Sequence, residues 1–353
     1  MTTVAVTGAA GLIGRHLVDA LIGREDVKRI LALDRRVTTT SHPRLDARVA
    51  DMRDPGLGEL WDGVDVLVHL AFQLDHPRDL DEHRAVNVEG TRNVLSSAAD
   101  RNVSRIIHLS SAMVYGAHAD NPVPLREDAP LRVNEDFPYA AHKAEVEQWL
   151  WDWAAARPEL SIAALRPSII TGPGIDNSVT RLLESPRLMA VRGHHPPFQF
   201  THVDDVVAAI LHLIDHPALT GPFNCASEGW LSFDELAAIA DLRTIDVPAE
   251  VAWQLADVAW RAGAAPVPPG RLHYAMHPWV VAVDRLVDTG WHPHHSNREA
   301  LQELVAQRRG TLALGPVRVP RWAPVAAVGG GLTAVLVAGL AWRRGRRGRR
   351  GRR

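Results

Sequence analysis

The chain has 353 residues, 46% hydrophobic and 23% charged, which fits one large or two ordinary globular units and excludes disordered, collagen-like and multi-pass membrane classes. Its 39 Lys and Arg against 41 Asp and Glu give a charge of −2, but Arg343 to Arg353 are all Arg or Gly, eight of them Arg, so a +8 tail follows a −10 body. An acidic body excludes nucleic acid as its partner; the single cysteine, Cys225, excludes an internal disulfide, and no apolar leader precedes the first strand, so a cytoplasmic body is expected.

In chain order, Val4–Val6 reads as a short apolar strand, Thr7–Gly14 (TGAAGLIG) as a glycine turn, and Leu17, Leu21 and Ile22 as one helix face. Ile30–Leu33 is a second strand ending at Asp34, Val64–Leu70 a third and Val103–Leu109 a fourth. Helical patterns cover 81–99 and 139–156, and a strand at Ile162–Leu165 runs into Arg166-Pro167. This alternation predicts an α/β fold of the Rossmann type, a doubly wound parallel sheet covered by helices on both faces. Beyond Gly172 the rhythm is broken by Pro and Gly clusters at 172–174, 194–197 and 265–270, and two helix starts remain legible as capping boxes, Ser232 to Glu235 and Ser296 to Glu299.

A dinucleotide-type domain is therefore expected over 1–172, with 200–220 returning to it, and a smaller substrate domain over 173–199 and 221–310. A linker over 311–321 then leads to an apolar segment at 322–342 and the Arg/Gly tail at 343–353. Trp322 to Trp342 is 21 residues without a charge, roughly 30 Å as a helix, with a Trp at each end and Arg321 and Arg343 outside. A C-terminal apolar helix in contact with membrane lipid through 322–353 is the expectation. A full span would send eight arginines across the bilayer, whereas a shallow insertion keeps them on anionic cytoplasmic headgroups.

The glycines are spaced Gly8-x-x-Gly11-x-x-Gly14 between a strand and a helix, where backbone N–H groups can approach a pyrophosphate at a helix start. Asp34 lies 20 residues past Gly14 at the end of the next strand, placed to accept from adenosine ribose hydroxyls and to repel a 2′-phosphate. Arg35 and Arg36 offset part of that repulsion, and NAD is expected rather than NADP.

Only two of the 39 basic residues are lysines, Lys28 and Lys143. Lys143 stands four after Tyr139 on the 139–156 helix, on the same face. A phenol is too weak a base at neutral pH unless an ammonium favours its ionised form; such a pair can exchange a proton with a substrate hydroxyl as a nicotinamide exchanges the hydride. Ser110 and Ser111 end the preceding strand at the sheet's carboxyl edge, where a hydroxyl can polarise the same oxygen.

With these residues the chain resembles an extended short-chain dehydrogenase/reductase of the NAD-dependent epimerase/dehydratase family over roughly residues 1 to 305. The resemblance rests on TGAAGLIG, Asp34, DMRD at 51–54, HLA at 69–71, NVEGT at 87–91, SSAMVYG at 110–116, YAAHK at 139–143, RPSIITGPG at 166–174, FTHVDDVV at 200–207 and GWHPHHS near the end. It implies Gly8, Gly11, Ile13 and Gly14 at the pyrophosphate, Asp34 at the ribose, Asp51 and Met52 beside the adenine, Leu70 and Ala71 lining the cofactor, and Asn87 supporting it. It further implies Ser111 as the catalytic hydroxyl, Tyr139 as acid/base, and Lys143 lowering the tyrosine's pKa while holding the nicotinamide ribose, a task for a compact ammonium rather than a planar guanidinium.

Departures from the family pattern narrow the reaction. Where sugar-nucleotide 4,6-dehydratases carry an acidic pair after the hydroxyl residue, this chain has Ala112 and Met113, which argues against dehydration. The expected reaction is NAD-dependent oxidoreduction at a secondary hydroxyl, as in a sugar-nucleotide 4-epimerase, with a 3β-hydroxysteroid-type or other alcohol dehydrogenase as the alternative. A non-catalytic NAD-binding regulator at the membrane is a third reading, opposed by the intact Ser/Tyr/Lys set. The expected small-molecule partner is a nucleotide sugar, or a sterol or other alcohol, and a homodimer is left open. No metal is expected: His194, His195, His292, His294 and His295 lack cysteine or carboxylate partners at ligand spacing.

Overall fold

Runs of apolar residues with every position buried need cover on both faces, and they build the centre of one sheet. The structure, a computed structural model, describes residues 1–38, 40–74, 79–175, 183, 187–308, 311–314 and 317–320. Its first six strands are β1 (Thr2–Thr7), β2 (Val27–Asp34), β3 (Leu45–Val49), β4 (Val66–His69), β5 (Arg105–Leu109) and β6 (Ser161–Pro167). Then follow β7 (Ile169–Thr171), β8 (Leu188–Val191), β9 (Phe200–His202), β10 (Gly221–Cys225) and β11 (Thr244–Val247). Seven of them form a parallel sheet in the order β10-β6-β5-β4-β1-β2-β3. The chain winds one way from β1 through β2 to β3 and the other way from β4 outwards. The crevice between the ends of β1 and β4 is thus the switch point where ligands of such sheets bind.

Helices α1 (Leu12–Ile22) and Val203–Asp215 cover one face, joining Leu17, Val18 and Leu21 to Val206, Ile210 and Leu213 over β1, β2 and β6. Each such buried side chain contributes about 1.5–3 kcal/mol by leaving water. The pattern expected over 81–99 divides into α2 (Leu80–Arg84), a π-helical turn Ala85–Glu89, and α3 (Gly90–Ala99). The other face is covered by α3 and α4 (Pro138–Ala155), with Val94, Leu95 and Leu150 packed among Trp61, Ile106 and Ile162.

Two strands of the seven-stranded sheet escape the sequence reading for local reasons. β3 (LDARV) is an edge strand without a fully buried position, and β10 opens on Gly221-Pro222, which reads as a turn. Because Gly221–Cys225 pairs with Ala163–Pro167, the stretch that returns to the first domain runs to 225 rather than stopping at 220.

Outside the seven-stranded sheet lie the parallel pairs β7·β9 and β8·β11 and both expected capping boxes, at Ser232/Glu235 and Ser296/Glu299. One core cluster joins Phe198, Phe200, Phe233, Tyr274, Trp279 and Leu301 to Ala112–Tyr115 and Phe137, so the chain beyond Gly172 packs on the end of the first sheet through an apolar seam. Where a linker is expected over 311–321, Thr311–Leu314 and Val317–Pro320 form an antiparallel pair. The apolar segment 322–342 and the tail lie outside the described residues. Among the described residues no helix is long and apolar enough to cross a membrane.

Candidate active site

At the switch point, Gly8 takes φ +72°, and a side chain there would bring its Cβ within 2.7 Å of the Ala71 nitrogen in the turn after β4. At Gly14 a Cβ would lie 2.2 Å from the Gly8 carbonyl oxygen, so the first turn of α1 presses directly on the glycine loop. Gly11 N-caps α1 with no side-chain hydrogen bond and no acidic residue in the first turn. The helix start is a cradle of backbone donors with a positive dipole end, which suits a pyrophosphate. Ile13 lies in the first turn of α1.

Asp34 closes this loop. One of its carboxylate oxygens accepts from the Ala10 N–H at 3.0 Å and the other from the Arg36 N–H at 2.9 Å. A carboxylate offers about four lone-pair positions, so acceptor capacity remains for ribose hydroxyls. Asp51 accepts from the Arg53 backbone and side chain, and the Arg53 guanidinium holds its carboxyl down to about 2. Met52 packs against Gly90 of α3, where a Cβ would come within 2.5 Å of its Cγ. Leu70 and Ala71 follow β4, and the Ala71 N–H donates to the Thr7 hydroxyl at 3.3 Å. Asn87, fully buried in the π-helical turn, clamps Gln73, two residues past Ala71: its Oδ1 accepts from the Gln73 N–H at 2.7 Å and its Nδ2 donates to the Gln73 carbonyl at 3.1 Å. The expected cofactor residues thus lie on the turns after β1, β2, β3 and β4, in the first turn of α1 and in the π-helical turn, with Lys143 on α4.

The expected catalytic residues meet on the other side of this crevice. Ser111 ends the strand run and N-caps the short turn Ala112–Tyr115, its Oγ accepting from the Met113 N–H at 3.2 Å. Tyr139 stands at the start of α4, behind Pro138, with its phenol close enough to the Ser111 hydroxyl for that group to favour its ionised form. Burial pushes the Tyr139 phenol up, against the opposing effects of the Ser111 hydroxyl and the Arg271 charge. Lys143, buried one turn later, donates from Nζ to the Leu109 carbonyl at 2.6 Å and sits 3.7 Å from the centre of the Phe72 ring. Burial brings its ammonium down to about 7, opposed by the charge of Glu147. The expected lowering of the tyrosine by Lys143 is therefore replaced by a net rise. The lysine is turned onto Leu109 and the face of Phe72, whose ring meets Tyr139 edge-on at 5.6 Å.

Behind Lys143 lies a polar network that the residue-by-residue reading missed. Glu147, fully buried, accepts from Ser110 Oγ at 2.6 Å, Arg166 Nε at 2.9 Å and Trp151 Nε1 at 3.2 Å. Arg166 also donates to the Tyr115 hydroxyl, which donates to Asn224 Oδ1 at 2.8 Å. Glu147 is four residues past Lys143, so helical spacing could have found it. In front of Tyr139 the walls are Phe72, Met113, Phe137 and Tyr274, with the Arg271 guanidinium 6.0 Å from the Phe137 ring and 5.8 Å from the Tyr274 ring. Met113 belongs to the SSAMVYG run, but Phe72, Phe137, Arg271 and Tyr274 carry no motif to flag them.

The fold also gives His295 partners that spacing could not show. It stacks on His202 at 3.9 Å between ring centres, and His202, Asp204 and His295 offer ligand atoms within 4.8 Å of one another, a set that could hold a metal ion.

Residues 4–226 match the family model described as the NAD dependent epimerase/dehydratase family. The chain is 30% identical over 238 residues to the 2-alkyl-3-oxoalkanoate reductase of Stenotrophomonas maltophilia, covering 64% of this chain and 69% of that protein. It is 31% identical over 186 residues, 51% of this chain and 53% of the other, to the N-acetyl-alpha-D-glucosaminyl-diphospho-ditrans,octacis-undecaprenol 4-epimerase of Escherichia coli O157:H7. Among solved structures, the UDP-glucose 4-epimerase of Thermotoga maritima with UDP-glucose superposes with a TM-score of 0.66 at 20% identity, covering 87% of this chain and 99% of that one.

Proposed function

Because the chain belongs to the NAD-dependent epimerase/dehydratase family, we propose that it is an enzyme that oxidises a secondary hydroxyl to a ketone, with sugar-nucleotide 4-epimerisation as its overall reaction. The observation that supports this reading is the meeting of Ser111 and Tyr139 at the carboxyl edge of the sheet, with Lys143 buried one helical turn away. NAD supplies the hydride acceptor at C4 of its nicotinamide. The glycine turn and the start of α1 would hold its pyrophosphate and Asp34 its adenosine ribose, with Leu70 and Ala71 lining the cofactor and Asn87 supporting it. Ser111 Oγ polarises the substrate oxygen, Tyr139 takes its proton, and Lys143, one helical turn on, would reach the second ribose. Asp34 directs the site to NAD over NADP by repelling a 2′-phosphate.

Ala112 and Met113 provide no acid or base for eliminating water, so the ketone is either reduced again on its other face or released. Similarity to two 4-epimerases supports the first outcome. A second reading, a net alcohol dehydrogenase or ketone reductase, is favoured by the apolar walls Phe72, Met113, Phe137 and Tyr274 and by the likeness to an oxoalkanoate reductase. Incubating the protein with NAD and panels of nucleotide sugars, sterols and hydroxy acids separates them: interconversion without NADH release marks an epimerase, stoichiometric NADH a dehydrogenase. A Tyr139→Phe variant that kept most of its turnover on the substrate so found would sink both.

We further propose that the body works on the cytoplasmic side of a membrane, held there by 322–353, whose uncharged run and eight arginines suit a shallow, anionic lipid contact. Fractionation of the full chain against one ending before Pro320 tests this; equal solubility of the two would end it.

A further inference from the structure

Histidines and carboxylates from distant parts of the chain meet at the start of the helix Val203–Asp215. His202, Asp204 and Asp205 belong to that start, His16 to α1, Glu303 to the helix Asn297–Arg308 and His295 to the segment before it. Elsewhere this chain answers its buried and half-buried carboxylates with arginine, as Asp51 with Arg53 and Glu147 with Arg166. Here, among the described residues, Asp204, Asp205 and Glu303 have no arginine or lysine partner, only histidine rings, a side chain that is mostly uncharged at physiological pH. Three negative charges gathered without a cation favour one in their midst.

The donors are spaced for a metal. His202, Asp204 and His295 offer ligand atoms within 4.8 Å of one another. His202 Nδ1 and Asp204 Oδ2 are 3.5 Å apart, close to the roughly 3.4 Å between two ligands on a tetrahedral ion with bonds of about 2.0–2.1 Å. The nitrogen otherwise accepts from the Asp204 N–H at 3.2 Å, a bond that the metal would replace. A ligating histidine normally turns its other ring nitrogen to a carboxylate, which fixes the tautomer, and both rings do so here. His295 Nδ1 lies 3.0 Å from Oδ2 of Asp205, which is fully buried and also accepts from the His294 and His295 N–H groups at 2.9 and 3.1 Å. His202, 3% exposed, has Nε2 3.0 Å from a Glu303 oxygen, without the alignment of a hydrogen bond. That leaves Nδ1 of His202 and Nε2 of His295 for the metal, while His16 Nδ1, 3.4 Å from Asp204 Oδ1, steadies the third ligand.

Two imidazoles and a carboxylate suit zinc. We propose that His202, Asp204 and His295 bind one Zn²⁺ ion, with Glu303 and Asp205 behind the two rings, and that the ion clips the start of the helix Val203–Asp215 to the segment before the helix Asn297–Arg308. Asp204 is 61% exposed, so the remaining position falls to water. None of the three ligands is among the residues assigned to the cofactor or to proton transfer, and the site is independent of the reaction proposed above. A search by ligand spacing misses it because His295 and Asp205 are 90 positions apart in the chain and only the fold joins them.

The test strips the full chain with a chelator and titrates it with Zn²⁺ by calorimetry. One equivalent is expected to bind, and a Zn²⁺ concentration a hundredfold above Kd is expected to raise the thermal midpoint by about 4 °C. Asp204→Asn, a change on an exposed side chain, is expected to match the parent's midpoint without zinc and to bind zinc at least about tenfold more weakly, as is His295→Gln. His216→Ala is the control, because His212 and His216 form another histidine pair, 4.2 Å between ring centres at the far end of the same helix; it is expected to bind like the parent. Binding lost in His216→Ala but kept in Asp204→Asn would move the metal to that pair and overturn the proposal. A midpoint that zinc leaves unmoved, with no stoichiometric binding, would overturn it as well and leave a cluster whose histidines only take up protons.

Discussion

Replacing Glu147 by Gln isolates the charge of a residue whose hydrogen bonds can largely survive. The amide keeps one carbonyl oxygen for Arg166 and Trp151, and Ser110 can rotate its hydroxyl to accept from the new NH2 group. What disappears is the negative charge between two buried cations, Arg166 at 3% exposure and Lys143 at 3%. Breaking a buried ion pair in this way costs about 3–5 kcal/mol, because the remaining guanidinium has neither water nor a counter-charge. With an unfolding entropy of about 2 cal/mol/K per residue, the midpoint of thermal unfolding should fall by roughly 5–8 °C. A second readout separates charge from packing. Glu147 holds the Lys143 ammonium up against the burial that brings it to about 7, so its titration should move lower still in the variant. With only two lysines in the chain, nitrogen-labelled lysine gives two resonances to follow by NMR, Lys28 serving as the exposed control. A fall below about 1 °C, with the Lys143 titration unmoved, would refute the claim that this carboxylate supports the catalytic lysine.

Three further outcomes are expected. Tyr139→Phe should lower turnover by at least about a hundredfold while leaving NAD affinity within a factor of a few, measured by steady-state kinetics and by cofactor titration, since only the proton-transfer hydroxyl is removed. Lys143 is held near 7 in the fold against 10.5 in a free lysine. The unfolded chain therefore binds more protons between these values, and its contribution raises stability as pH rises from about 7 to about 10.5, with the full cost present below 7. Urea midpoints at the two ends of that window should show a slope of about 3–5 kcal/mol that Lys143→Met removes; an unchanged slope would contradict the burial of a titrating ammonium. Gly14→Ala would force a Cβ to within 2.2 Å of the Gly8 oxygen, so the loop must open, and NAD binding measured by calorimetry should be lost before the protein unfolds.

Local chemistry was enough to read most of the first domain. Strand runs such as Val4–Val6 and Ile30–Leu33 are apolar at every position because both faces are covered; the glycine spacing and Asp34 sit beside such runs, and the Tyr139/Lys143 pair shows as four-residue spacing on a helix. β3 and β10 were invisible because an edge strand needs no full apolar face and Gly221-Pro222 imitates a turn. Only the tertiary structure could decide the rest, since it depends on contacts between residues far apart in the chain. The Phe72 ring between Lys143 and Tyr139, the Glu147–Arg166 pair, Arg271 in the pocket wall and His295 against His202 all join distant segments. The direction of the Tyr139 shift belongs with them: four-residue spacing puts the lysine on the tyrosine's helix face, but burial and the partner its ammonium finds decide the pKa.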